Sequence, residues 1–261
     1  SSLNDQLVIQ QGDPLSILKK LIAEYQINTI HWNRCYEPHA IERDTEIKAE
    51  LKLRNIDVQS FNGALLVEPW DVETKTGGPY KVFTPFWRAA QQVPPTDPLP
   101  VPDRLELAEL CGSDRLEEWE LLPENPNWAV GWETVWTPGE AGAETRLKSF
   151  LGENLRGYGD LRDRPDLPKV SRLSAHLHFG EVSPRQIRRS VLEAEGGNDS
   201  LKPDAAKFLS EIGWREFSHH LLYHFPMMPE ENFKPDFDNY PWRDSSEDLR
   251  AWQQGRTGYP I

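Results

Sequence analysis

The sequence contains little cysteine and methionine, and its apolar residues never form a long uninterrupted run. Only two of the 261 residues are cysteine and two are methionine. Cys35 and Cys111 form no metal or redox motif, so we expect free thiols in a reducing compartment. There is no apolar run of about 18 residues and no signal-peptide pattern. We therefore expect a cytoplasmic protein without a membrane segment.

Several common catalytic motifs are also missing. The sequence has no Gly-x-Gly-x-x-Gly, no P-loop and no supported Ser/His/Asp or Cys/His arrangement. His220 and His224 share a helical face and follow His219, but no Glu completes a His-Glu-x-x-His pattern and no third ligand is evident. We interpret these residues as ordinary helix histidines and predict no metal site.

Charge is distributed unevenly along the chain. The formal net charge of −13 argues against a nucleic-acid partner when it is averaged over the whole sequence. Residues 91–140 hold eleven acidic and two basic residues, whereas residues 141–190 hold ten basic and six acidic residues. A local basic patch of this kind can bind a phosphate backbone. Scattered solvated charge is the alternative interpretation.

Helical and extended patterns alternate in the first part of the chain. Asp13-Pro14 is an N-cap followed by proline at the first helical position, and a helical apolar face follows it. The run from Ile27 to Trp32 is typical of a buried strand, residues 43–54 of a helix, and residues 56–61 of a second strand. This alternation predicts a parallel α/β sheet. Residues 65–67 are a further short apolar run.

The second half is predicted to be all-α. A proline-rich, acidic stretch from residue 92 to Gly139 is expected to be a long connector wrapped on the body of the protein. Apolar residues from Leu147 to Leu155 then indicate a helix that ends near Gly157. Further helices are predicted over residues 173–179, 184–195 and 205–224.

Two stretches in this half could carry chemistry. In the first, Ser174 is expected to cap a helix whose free N–H groups can bind an anion, and Arg172 offers a fork for two phosphate oxygens. In the second, Glu211 and Trp214 are three residues apart and share a helical face. A ring that stacks beside a carboxylate suits a base flipped out of DNA. The alternatives are capped helices with surface arginines and a packed helix with a rim acid.

Three motifs occur in one order along the chain: Ser-Arg-Leu-Ser (171–174) leading to His-Phe-Gly-Glu-Val-Ser-Pro-Arg (178–185), Glu-Ile-Gly-Trp-Arg-Glu-Phe (211–217) and Gln-Gln-Gly-Arg-Thr-Gly-Tyr-Pro-Ile (253–261). Together they resemble the DNA photolyase/cryptochrome family, in particular class I photolyases of cyclobutane pyrimidine dimers. The resemblance runs from about residue 7 to Ile261. It also implies that the family's opening strand and the segment after Ile261 are missing.

The resemblance implies an α/β plus all-α fold in three parts. These are a partial Rossmann-like parallel α/β antenna domain (1–75), an interdomain connector (76–139) and a partial helical FAD-binding domain (140–261). It implies a cofactor site for FAD formed by Tyr158, Val170, Ser171, Arg172, Leu173 and Ser174. Phe208 is expected to line the flavin, and Arg215 either approaches it or pairs with Glu211 or Glu216. The family usually has Thr where Val170 stands, so one contact is lost or made by the backbone.

The same resemblance implies a DNA-binding and catalytic set. Arg162 is expected to contact a DNA phosphate, and Glu211 and Trp214 to contact the lesion. Glu211 is further expected to stabilise or protonate the pyrimidine radical anion. Trp242 matches the outermost tryptophan of the chain that photoreduces the flavin. A surface tryptophan after a proline is the alternative for Trp242.

The implied function is light-driven repair of cyclobutane pyrimidine dimers, with damaged DNA as the partner of a monomer. The alternative is a cryptochrome-type photoreceptor without repair, and the presence of both Glu211 and Trp214 favours repair. Folate-binding members carry Asn-Glu where this chain has His39 and Ala40, so a deazaflavin antenna, a folate antenna or none remains open. We expect the 261-residue chain alone to hold FAD weakly and to be inactive.

Overall fold

The computed structural model describes residues 7–94, 96–100 and 112–259. Cys111, part of the proline-rich connector and the last two residues of the motif at 253–261 lie outside the described residues. The chain divides into two compact units, Ser1–His224 and Phe225–Ile261.

The secondary structure of the described residues alternates between helix and strand at first and is then helical. The elements are α1 (Pro14–Tyr25), β1 (Thr29–Asn33), α2 (Pro38–Lys52), β2 (Asp57–Phe61), α3 (Phe83–Ala90), α4 (Glu140–Ser149), α5 (Tyr158–Leu161), α6 (Ser174–His178), α7 (Pro184–Glu195), α8 (Lys202–His224) and α9 (Ser246–Gln253). A π-helical turn, Phe150–Asn154, continues α4. Short 3-10 helices lie at Pro69–Asp71, Leu116–Trp119, Trp132–Thr134 and Pro235–Asn239.

The parallel sheet predicted for the first part is confirmed. Strands β1 and β2 run parallel, with Thr29 opposite Asp57 and Asn33 opposite Phe61. Helix α1 begins where expected, because the Asp13 carboxylate accepts a hydrogen bond of 2.8 Å from the Ser16 N–H. Residues 65–67 form no strand. One face of the sheet is covered by an apolar cluster of Ile47, Leu51, Ile56 and Val58, with Leu15, Leu18, Ile22, Ile30 and Trp32 packed against it.

The helical part has its own apolar core, and its helices lie close to their predicted positions. The core cluster contains Ala143, Leu147, Phe150, Leu155, Tyr158, Leu173, Leu177, Val182, Ile187, Val191, Ala205, Phe208 and Ile212. Helix α7 begins with a capping box, in which Ser183 Oγ accepts from Gln186 N and Gln186 Oε1 accepts from Ser183 N. Helix α8 is 23 residues long and contributes to both the core and the site.

The prediction that Ser174 caps a helix is wrong. Ser174 is the first residue of α6, and Leu173 precedes it without any side-chain cap hydrogen bond. Instead, Ser171 Oγ accepts from Leu173 N at 3.4 Å, and Arg172 adopts the left-handed region with a φ of 53°. Ser171 therefore organises the turn before α6. Helix α6 itself has only five residues.

Helices α3 and α8 pack through aromatic rings. A Cβ atom at Gly213 would lie 2.7 Å from ring atoms of Trp87, so only glycine lets the indole lie this close to α8. Below it, Phe86 and Phe217 are buried in a cluster with Val72 and Ala90. Helix α3 therefore lies directly against α8, the helix that carries the candidate site.

The described part of the second unit consists of turns, the 3-10 helix Pro235–Asn239 and α9. Ser245 caps α9, accepting from Asp248 N at 3.2 Å. Trp242 is 68% exposed, and its Nε1–H donates to the Phe237 carbonyl at 3.2 Å. Among the described residues, no helix has the length and apolar character needed to cross a membrane.

Candidate functional site

A cavity of about 850 Å³ opens where the carboxyl ends of the two strands face helices α6 and α8. Its volume is typical of a pocket for a small molecule or cofactor, and the carboxyl ends of parallel strands are a common place for one. The strand side contributes residues 33–37 together with Gly63 and Ala64. The helical side contributes Tyr158, Ser171, Leu173, Ser174, Leu177, His178, Phe179, Gly180, Phe208, Glu211, Ile212, Arg215 and His219.

Aromatic rings form one wall of this cavity. The rings of Tyr158 and Phe208 meet edge to face at 5.3 Å, and Phe150 lies 4.5 Å from Phe208. Tyr158 and Phe208 line the cavity, and both are buried in the helical core. Burial raises the pKa of the Tyr158 hydroxyl, and the nearby Glu211 carboxylate raises it further. A wall held this firmly can position a planar ring system.

The turn before α6 reaches the cavity with only some of the residues predicted to bind FAD. Ser171, Leu173 and Ser174 line it, and the two hydroxyl groups can donate or accept hydrogen bonds there. Val170 is 44% exposed and Arg172 is exposed, and neither is part of the lining. A contact of Val170 or Arg172 with the cofactor stays a prediction.

Glu211 lies between two cations at the cavity. Its Oε1 is 2.9 Å from Arg162 Nη1 and 2.9 Å from Lys207 Nζ. Both contacts are ion pairs without hydrogen-bond angles, and this oxygen is buried. Arg162, which the sequence suggests as a phosphate ligand, is therefore turned toward the carboxylate. Sequence reasoning did not single out Lys207, although its place four residues before Glu211 on one helix predicts such a pair.

Trp214 lies outside the lining of this cavity. Its indole stacks on Phe83 with the ring centroids 3.7 Å apart and the planes inclined by 10°. The side chain remains 46% exposed. The structure therefore does not bring Glu211 and Trp214 into one cavity, and their joint contact with a lesion stays a prediction.

Arg215 attaches α8 to the loop after β2. Its Nη1 donates to the Ala64 carbonyl at 2.7 Å and lies 3.5 Å from Glu216 Oε1. Of the alternatives left open by the sequence, the structure shows the pair with Glu216 and places Arg215 on the cavity wall. Burial lowers the pKa of its guanidinium.

Glu216 is a buried carboxylate that sequence reasoning mentioned only as a partner for Arg215. It is 2% exposed, and its Oε2 accepts from Leu66 N at 2.7 Å and from Val67 N at 3.3 Å. Burial raises the pKa of Glu216 to about 7, against the opposing effect of Arg215. Its position, four residues from the apolar Ile212 on the same helix, was the signal that could have predicted its burial.

The histidines of α8 also form hydrogen bonds with the chain that follows β2, at Pro69 and Tyr80. His220 is buried, its Nδ1–H donates to the Pro69 carbonyl at 3.2 Å, and its Nε2 accepts from Tyr80 N at 3.1 Å. Burial lowers the pKa of His220 to about 4, so the ring is neutral at pH 7. His224 Nε2 donates to the same carbonyl at 3.1 Å. Over the described residues, no group of three or more His, Cys, Asp or Glu side chains is arranged to hold a metal ion.

A second cavity of about 480 Å³ lies between α3, α7 and residues 96–98. Trp87 and apolar side chains form one wall, and Arg185, Arg188 and Arg189 project from α7 on the other. Arg189 pairs with Glu193 at 2.8 Å, whereas the buried Nε of Arg185 has no hydrogen-bond partner among the described residues. Sequence reasoning missed this cavity, since the arginine spacing alone is typical of a solvated helix face.

The model of the DNA photolyase family matches residues 1–103, and the model of the FAD binding domain of DNA photolyase matches residues 208–261. A deoxyribodipyrimidine photo-lyase of Agrobacterium fabrum is 41% identical over 258 residues, which cover 98% of this chain and 53% of the relative. The chain belongs to the photolyase/cryptochrome family. Cryptochrome-1 of Arabidopsis thaliana is 31% identical over 270 residues, which cover all of this chain and 39% of the relative.

Solved structures of the family share the fold. A bacterial class III photolyase from Agrobacterium tumefaciens superposes with a TM-score of 0.92 at 41% identity, covering 97% of this chain and 53% of that one. A cryptochrome of Synechocystis gives a TM-score of 0.80 at 18% identity and covers 99% of this chain and 54% of that one, which shows the fold alone. The chain spans about half the length of the curated photolyases that it matches.

These matches confirm the prediction of an α/β antenna part followed by a helical FAD-binding part. FAD is thereby supported as the cofactor, and the aromatic wall and serine hydroxyls of the larger cavity fit a flavin with polar groups attached. The expected assignment to class I is not confirmed, because the similar solved photolyase is described as class III.

Proposed function

We propose that the protein to which this chain belongs repairs cyclobutane pyrimidine dimers in DNA with light. The observation that carries the proposal is the larger cavity. In it, the aromatic wall of Tyr158 and Phe208, which fits a flavin ring, lies beside Glu211 and its two cations. FAD, when bound, supplies the light-excited electron donor, whereas the protein supplies binding, orientation and electrostatics. The similar Agrobacterium proteins are named as photolyases, which supports the same activity here.

The residues of this chain divide the remaining work. Tyr158 and Phe208 form a firm apolar wall that excludes water from the flavin side. Ser171 and Ser174 bind polar groups of the cofactor. Arg215 holds the wall to the loop after β2 through the Ala64 carbonyl.

Glu211 is proposed to accept a hydrogen bond from the edge of a flipped pyrimidine. Its buried Oε1 is held by Arg162 and Lys207 at 2.9 Å, while the side chain as a whole is 27% exposed and lines the cavity, so its second carboxylate oxygen is proposed to accept the N–H of the base. The positive charges of Arg162 and Lys207, which lie beside Glu211, then stabilise the negative charge that develops on the pyrimidine. Both cations are also close enough to the cavity to bind the DNA backbone next to the lesion.

The 41% identity and TM-score of 0.92 with a class III photolyase favour that class for this chain, in place of the expected class I. The three-part division at residues 75 and 139, a cytoplasmic location and a monomeric state belong to the proposal. The supply of electrons to the flavin through Trp242 is also part of the proposal. The exposed indole of Trp242 is compatible with the outermost position in a chain of tryptophans.

The second cavity is the proposed place for an antenna chromophore. Trp87 offers a ring for stacking, and Arg185 and Arg188 offer charges for carboxylate or phosphate groups. A deazaflavin and a folate both combine a planar ring system with anionic groups, so both fit this description. His39 and Ala40, at which the sequence suggested the antenna loop, line neither cavity.

The test is an assay of light-driven repair by the full-length protein. The protein is incubated with an oligonucleotide that carries one thymine dimer, in blue light and in darkness, and the loss of dimer is measured. The proposal predicts loss in light only. Photoreduction of the flavin without any loss of dimer would overturn it in favour of a photoreceptor.

A further inference from the structure

Phe83, the first residue of α3, is the side chain that stacks on Trp214. The two rings are nearly parallel and their centroids lie 3.7 Å apart, so they contact each other face to face. Phe83 comes from the connector, whereas Trp214 comes from α8 of the helical part. The contact therefore links a residue without an assigned role to one expected to bind the lesion.

The phenyl ring of Phe83 is itself held in place on other sides. Trp87 lies parallel to it with a centroid distance of 6.4 Å, and Phe217 meets it edge to face at 6.0 Å. Trp87 in turn rests on Gly213, where any Cβ would collide with the indole. Phe83 thus belongs to a packed aromatic array, and its orientation follows from the array rather than from the DNA.

The outer part of Trp214 is available for a further ring. Although Phe83 covers part of the indole, 46% of the side chain is exposed. A base that stacks on an indole of fixed orientation loses less conformational freedom than one that must first order it. Without Phe83, the edge-to-face contact with Phe217 at 6.0 Å would be the one ring contact left to Trp214 among the described residues.

We propose that Phe83 is a positioning residue that fixes the Trp214 indole in the orientation in which it stacks on a base of the damaged strand. The inference rests on the proposed function, because it takes Trp214 as the residue that contacts the lesion. It assigns a residue of α3 to the support of the DNA-binding surface. Phe83 acts through Trp214 and touches no substrate itself.

The test compares dimer binding by variants of the full-length protein. Phe83→Leu removes the stack and keeps apolar volume, Phe83→Met is a second non-aromatic change, and Phe83→Tyr keeps the ring. Phe86→Leu is the matched control, because Phe86 lies in the same helix and contacts Phe217 and His220 at 5.1 and 4.9 Å. Binding is measured to dimer-containing and undamaged oligonucleotides, and repair is expressed per bound dimer.

We expect Phe83→Leu and Phe83→Met to weaken dimer binding about 2- to 10-fold, the range for one aromatic pair. Binding to undamaged DNA and repair per bound dimer should not change, and Phe83→Tyr should bind like the wild type. Wild-type affinity in Phe83→Leu and Phe83→Met, or an equal loss in Phe86→Leu, would overturn the inference. A wild-type protein that binds dimer-containing and undamaged DNA equally and repairs nothing would instead overturn the proposed function.

Discussion

Glu211 Oε1 lies 2.9 Å from Arg162 Nη1, so the residue expected to bind a DNA phosphate is paired with the residue expected to bind the lesion. Lys207 Nζ lies at the same distance from the same oxygen. The proposed function implies that DNA phosphates compete with Glu211 for these cations. Backbone binding and lesion recognition would then be coupled in this cluster of three side chains.

The salt dependence of DNA binding tests this cluster. We predict that Arg162→Gln weakens binding to damaged and undamaged DNA alike. The negative slope of log affinity against log salt should also become smaller in magnitude by about 1. Each lost phosphate contact releases one counterion fewer, which is the physical reason. Titrations at several salt concentrations measure the slope. Arg164→Gln is the control, because Arg164 pairs with Asp166 away from the cavity; an equal change there would contradict a specific role for Arg162.

Glu211 is predicted to act as a hydrogen-bond acceptor. Glu211→Ala should lower repair on the order of 10- to 100-fold, the range for losing one hydrogen bond to a charged group. Glu211→Gln keeps a carbonyl oxygen and should retain more activity than Glu211→Ala. Initial rates of dimer loss under limiting light distinguish the two variants. Equal activity of Glu211→Ala and the wild type would exclude the proposed contact.

Glu216 makes the stability of the protein depend on pH. Its pKa in the folded state, about 7, exceeds the value of 4.5 that it has in the unfolded chain. The folded state therefore binds more protons between these values, and the free energy of unfolding decreases as pH rises from about 4.5 to 7. His220, whose pKa is lowered from 6.5 to about 4, has the opposite effect between pH 4 and 6.5.

The two effects are separated by the variant Glu216→Gln, which keeps an oxygen for the Leu66 and Val67 N–H groups. We predict that the melting temperature of the wild type falls relative to that of Glu216→Gln between pH 5 and pH 8. His220 is present in both proteins, so its effect cancels in the difference. Thermal denaturation at the two pH values measures it. A constant difference would show that the pKa of Glu216 is not raised.

Gly213 is predicted to be essential for the contact of α3 with α8. In Gly213→Ala the new Cβ would lie 2.7 Å from the Trp87 ring, so the helices must separate at a cost of about 1–3 kcal/mol. Gly152→Ala is the control, since a Cβ atom at Gly152 would have no neighbour within 4 Å among the described residues. Urea denaturation of both variants measures the free energies of unfolding. A Gly213→Ala variant as stable as the wild type would contradict this packing.

Much of the fold followed from local patterns. The Asp13-Pro14 cap, the two parallel strands and the bounds of α7 were predictable because capping and apolar periodicity depend on neighbouring residues. The cap at Ser174 was not, because Ser171 competes for the same turn. Local sequence offers no way to choose between the two serines.

The candidate site was predictable only in part, since side-chain direction depends on distant contacts. Tyr158, Phe208 and Glu211 line the cavity as the resemblance implies. Trp214 does not, because Phe83, more than a hundred residues earlier, provides a stacking partner. For the same reason the sequence did not predict the hydrogen bonds of the buried Glu216, because their donors are the Leu66 and Val67 N–H groups of a remote loop.

The most direct test of the account is dimer repair per absorbed photon in the full-length wild type, Glu211→Ala and Trp214→Ala. Each protein is loaded with reduced FAD and bound to an oligonucleotide that carries one thymine dimer. We predict efficient repair by the wild type, a marked decrease in Glu211→Ala and almost none in Trp214→Ala. Equal repair by all three proteins, or none by a wild type that binds FAD, would contradict the account.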